Sequence, residues 1–158
     1  MANKSYAQFM NYLLTDIRSK FDLIPDDKNV VIGESLSLLD KPDSYFPRAE
    51  LLITKQKYNG WRDQRVLDQS FRFSIGVHLR RAQDETTEED MYTALDLGSE
   101  LMSLIYDMHR AKIQGVPICD GFIQIGGFPE VFYEYELFPK ITTIILLAEA
   151  EVQLQDTN

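Results

Sequence analysis

The chain has 158 residues, a formal net charge of −9, one cysteine and two histidines. A chain of that length can bury roughly 70% of its unfolded surface, so it needs no disulfide or metal staple, and a lone cysteine permits no internal disulfide. The acidic balance argues against general affinity for nucleic acid backbones, and the longest apolar run, Ile144–Ala148, is too short to span a bilayer. The opening residues, with Lys4 early and Gln8, Asn11 and Asp16 interrupting the apolar ones, do not read as a signal peptide. A soluble protein of a reducing compartment is expected.

Tyr6, Phe9, Met10, Leu13, Leu14, Ile17 and Phe21 recur every three or four residues and predict an amphipathic helix ending near Pro25. Val30-Val31-Ile32 reads as a short strand. Pro42 and Pro47 bracket an irregular crossing. A hairpin follows, with Leu51 and Ile53 on one strand and a turn expected at Asn59-Gly60, both tolerant of positive φ. Its return strand is the clearest element. Leu67, Phe71, Phe73, Ile75, Val77 and Leu79 share one phase, and Ser70, Arg72, Ser74, His78 and Arg80 share the other.

A long helix is predicted from Thr86, with Glu89 completing a capping box and Glu88, Glu89 and Asp90 placed on the positive end of its dipole. Met91, Leu95, Gly98, Met102 and Ile105, flanked by Ala94, Leu101 and Met108, read as the core face. Gly115 and Pro117 end the helix. Two or three strands then close the chain: Ile123 and Ile125, a break at Gly126-Gly127-Phe128-Pro129, the alternation of Val131, Tyr133, Tyr135 and Leu137 with Glu130, Phe132, Glu134 and Glu136, and a last strand through Ile144, Leu146, Ala148, Ala150, Val152 and Leu154. With no repeat or linker, residues 1–158 read as one α+β domain: a single antiparallel or mixed sheet, two main helices on one face, and a protruding hairpin.

Catalytic pieces are not evident. His78 and His109 lie on different elements, and Cys119 has no neighbour at a ligand spacing. There is no nucleophile elbow, and Gly126-Gly127 precedes a strand rather than a helix N-terminus. No catalytic residue, cofactor or metal site is expected. What remains is surface that favours company. The last strand is apolar on both faces at Ile144–Leu147, so its second face needs a cover, either the Leu51–Leu79 hairpin folded over it or a neighbouring subunit. Tyr58, Trp61, Arg62 and Arg65 gather at the hairpin tip, and these residue types are enriched at interface hot spots.

The succession of helix, hairpin with the alternating strand Phe71–Leu79, acidic capped helix Thr86–Arg110, and the paired strands Phe122–Leu137 and Ile141–Leu154 resembles the tail terminator (neck or tail-completion) proteins of long-tailed bacteriophages, over nearly the whole chain. The likeness is one of layout, length and acidity, without a signature motif. It implies a non-enzymatic virion protein, assembled in the bacterial cytoplasm as a homo-oligomeric ring, expected to be a hexamer. The ring would cap the tail tube, stop its polymerisation and join it to the neck connector, with the tail sheath as a further contact and DNA passing through the lumen. A head-completion adaptor is the alternative within that class. A regulatory domain holding a small ligand between sheet and helices, with Trp61, Tyr133 and Tyr135 around it, is the alternative outside it.

Overall fold

The computed structural model describes residues 5–20, 24, 27–33, 41–61, 66–81, 87–113, 121–137 and 140–155. Helix α1 (Ser5–Lys20) leads into β1 (Val30–Ile32). Strands β2 (Arg48–Trp61) and β3 (Val66–Arg80) form the hairpin, α2 (Thr87–Ile113) crosses the sheet, and β4 (Gly121–Leu137) and β5 (Lys140–Gln155) close the chain. The five strands make one mixed sheet in the order β1-β2-β3-β5-β4, parallel only between β1 and β2. This is the expected α+β class, with the helices packed on the sheet.

One phase of each strand meets the helices. Phe71, Phe73, Ile75 and Val77 of β3 lie beside Ile144, Leu146, Ala148 and Ala150 of β5 and Ala49 and Leu51 of β2, all buried. Met10, Leu13 and Ile17 of α1 close over one side of this layer, with Tyr12 and Leu14 partly buried, and α2 closes over the β4–β5 side. Burying each large apolar side chain contributes roughly 1.5–3 kcal/mol, so this layer is the chief source of stability.

Several expectations shift. The β2–β3 ladder runs on to Trp61 opposite Leu67, so the chain does not turn at Asn59-Gly60; a register shift falls there instead, and residues 62–65 lie outside the described ones. The hairpin lies in the plane of the sheet, because β3 pairs with β5 from Val66 to Arg80. It therefore does not fold over the second face. It does run past β1, which pairs only with Ala49–Leu51. The Gly126–Pro129 break is a register shift within one 17-residue strand. Thr86 of the expected capping box lies outside the described residues.

The largest correction concerns α2. Its buried face is Ala94, Leu97, Gly98, Leu101, Leu104, Ile105 and Met108, whereas Met91, Leu95 and Met102, expected in the core, are 50%, 45% and 36% exposed. The helix carries two apolar stripes, and packing selects the fuller one. Gly98 shows how closely α2 approaches the sheet: a methyl group there would overlap the Tyr133 hydroxyl and lie 3.1 Å from its Cζ. A glycine costs about 1 kcal/mol in a helix interior relative to alanine, and here the room it leaves is filled by an aromatic ring of β4.

Candidate interaction surface

Two flanks of α2 face different things. On one, Asp90 and Thr93 line a small cleft of ≈ 140 Å³ with Leu79, Arg80, Arg81 and Thr142. Arg81 and Asp90 form an ion pair there, with side chains only 7% and 1% exposed. Arg81 also donates from Nη2 to the Glu136 carbonyl at 2.6 Å, its backbone N–H donates to Lys140, and its guanidinium lies 5.9 Å from the centre of the Tyr135 ring. One arginine thus ties the end of β3 to the start of α2 and to the β4–β5 end of the sheet. Asp90, expected only to face the positive end of the helix dipole, is a buried tie as well.

The other flank is apolar and open. Gly98 points at Tyr133 on β4, and Met91, Leu95 and Met102 lie on the far side of Gly98 from Ala94 and Leu101. The stripe therefore overhangs β4, the last strand of the sheet, joined by the exposed rings of Tyr92 and Tyr106. Beneath it the outer edge of β4 has no strand partner among the described residues. Tyr135, also exposed, continues the apolar surface along that strand. Burial raises the pKa of Tyr133 above its ordinary 10.0, and the neighbouring Tyr135 adds to the rise.

The face of the sheet turned away from the helices is the second open surface. Phe132 is exposed on it, with Ile145, Leu147 and Leu52 half-buried around it. At one end the 41–46 segment meets this face, where Arg80 donates to the Lys41 carbonyl and lies 5.9 Å from the Phe46 ring. Within the face Glu50, His78 and Thr143 align across three strands: His78 Nε2 is 2.8 Å from Glu50 Oε1, and His78 Nδ1 is 2.9 Å from Thr143 Oγ1. The order hydroxyl–imidazole–carboxylate is that of a hydrolytic triad, but the surroundings suit a structural clasp. Thr143 is 8% exposed, and β5 is laddered to β3 on one side and β4 on the other, which occupies the backbone N–H groups an oxyanion hole would use. The trio links three neighbouring strands by short polar contacts across the centre of the sheet.

Of the four residues expected at an interface, Tyr58 and Trp61 lie on the part of β2 that runs past β1, opposite Gln69 and Leu67 respectively. Arg62 and Arg65 lie outside the described residues. Sequence reasoning missed the α2 flank because it assigned Met91, Leu95 and Met102 to the core. The signal was present in the alternative spacing Ala94, Leu97, Leu101, Leu104, Met108, which fills a helix face more completely. Among the described residues no group of three or more His, Cys, Asp or Glu is placed to hold a metal ion, and no helix is long and apolar enough to cross a membrane. No family model matches the chain, and no curated protein matches it.

Proposed function

We propose that this chain is a structural assembly protein of a phage tail, forming a ring that caps the tail tube, ends its polymerisation and joins it to the neck connector. The observation that carries the reading is the open apolar flank of α2 above the edge of β4 that no described strand pairs. Exposed contiguous apolar surface beside an unpaired strand edge favours association and is a liability to a chain that stays alone. The layout resemblance to tail terminators supplies the kind of assembly, and an acidic chain lets DNA pass through a lumen without sticking.

The mechanism is geometric. Head-to-tail contacts between identical copies close into a ring when the rotation per copy suits, and six copies is the size we propose. One side of the ring matches the last ring of tube subunits; the other offers the tube no matching surface, so growth stops there and the neck docks. The partly apolar second face of the sheet, around Phe132, Ile145 and Leu147, is a surface such a partner could cover.

Light scattering coupled to size exclusion tests this reading, on the protein alone and after addition of isolated tail tubes. A discrete six-copy mass, or retention of the protein at tube ends, is expected. A single-copy mass at high concentration with no response to tubes would overturn it.

A further inference from the structure

We propose, resting on the ring reading, that consecutive copies join edge to edge: the β4 edge and α2 flank of one copy dock against the β1–β2 edge of the next, head to tail, continuing the sheet.

The two lateral edges of the sheet are complementary in direction, charge and apolarity. In direction, β4 runs opposite to β2, since β2–β3, β3–β5 and β5–β4 are each antiparallel. A second copy placed with its helices on the same side therefore brings its β2 antiparallel to β4, the arrangement every pair but β1–β2 already uses. β2 is available beyond Leu51, where its pairing with β1 ends, and no described strand pairs with that side of it.

In charge, Glu130, Glu134 and Glu136 stand exposed on β4, on the sheet face away from the helices. At the other edge Lys55 and Lys57 are exposed on the same sheet face, and a bulge puts them there. The register shift between Ile53 and Lys55 brings Lys55 opposite Arg72 and Lys57 opposite Ser70; without it both would fall in the core phase of β2. When β4 abuts β2 in this direction Glu130 meets Lys55 on one face, and Glu134 and Glu136 lie toward the next copy's β1. A two-fold pairing of β4 with β4 would instead set these carboxylates against one another, and like charges directly opposite destabilise a strand pair.

In apolarity, the helix-bearing side carries Met91, Leu95 and Met102 at the β4 edge and Ile32, 53% exposed, at the β1 edge. Glu130 lies level with Ser74 through Leu147, and Lys55 with Arg72, so a stagger of two residues, roughly 7 Å, sets Glu130 beside Lys55. Closing a sheet around an axis requires stagger of this kind.

The test uses two charge-reversed full-length chains, Glu130→Lys/Glu134→Lys and Lys55→Glu/Lys57→Glu, each checked for an unchanged unfolding midpoint. Each alone should self-associate at least tenfold more weakly than the natural chain. An equimolar mixture should recover the natural mass, because every contact in an alternating ring then pairs opposite charges. Carbodiimide coupling of the natural chain should join Glu130 of one copy to Lys55 of another. Natural chains that assemble while both variants assemble equally well, or assemblies without those cross-links, would overturn the edge pairing and leave the ring standing. A natural chain that stays single even with tail tubes would overturn both.

Discussion

Both stripes of α2 are apolar, one of them fuller, and their fates are opposite. Leu97, Leu101, Leu104 and Met108 are sealed against β4 and β5, while Met91, Leu95 and Met102, on the same helix, face outward over the sheet edge. Composition alone does not separate them. What separates them is the close approach at Gly98, which lets Tyr133 seat under the helix, and the Arg81–Asp90 tie on the opposite flank, which fixes the rotation of its first turns. A helix can therefore hold a fold together with one stripe and offer the other for assembly. Loss of the first should unfold the chain, and loss of the second should leave it folded but alone.

Asp90→Ala should give the largest effect on the fold, since it leaves the Arg81 guanidinium buried without its carboxylate. A loss of about 3–5 kcal/mol is expected, read by chemical denaturation. A loss below 1 kcal/mol would mean that the rotation of α2 is not set there. Leu101→Ala, on the sealed stripe, should cost about 2–5 kcal/mol, whereas Leu95→Ala on the open stripe should change the midpoint of the isolated chain by roughly 0.5 kcal/mol or less. Equal losses at the two sites would erase the distinction between the stripes. Gly98→Ala should cost about 1–3 kcal/mol by forcing Tyr133 aside, and Tyr133→Phe, which removes the overlapping hydroxyl, should recover part of that loss.

The smallest expected effect is one of pH. Tyr133 is held above its ordinary 10.0 by burial and then by Tyr135, so the folded chain keeps a proton that the unfolded chain gives up. Its contribution is complete below that ordinary value and is lost as pH rises through the folded-state value. Denaturation midpoints followed from pH 9 upward should fall, and more gently in Tyr133→Phe. A steeper fall in that variant would contradict the assignment.

Much of the architecture was legible in the alternation of residues. The phase of Phe71–Val77 and of Ile144–Ala150 gave the buried side of the sheet correctly, because a period of two allows only two choices and one is polar in β3. The turn at Asn59-Gly60 was misread because local turn preference yields to a ladder that can continue to Trp61. The rotation of α2 was misread because a helix with two apolar stripes has two plausible inward faces, and only the strand beneath selects one. Buried Glu50 and Asp90 were illegible for a related reason: each is paired with a residue distant in sequence or on another element, His78 for the first and Arg81 for the second. The open flank and the edge charges surfaced only once strand order was known, since that order alone makes β4 one lateral edge and β1, with the run of β2 beyond Leu51, the other.

The most direct test of the two-stripe account is sedimentation velocity of the natural chain and of Met91→Glu/Leu95→Glu, at high concentration, alone and with isolated tail tubes, with the unfolding midpoint of each measured alongside. The natural chain should sediment as a closed assembly or with the tubes, and the variant as a single folded copy with its midpoint preserved. A variant that assembles as the natural chain does, or one that unfolds, would contradict the account.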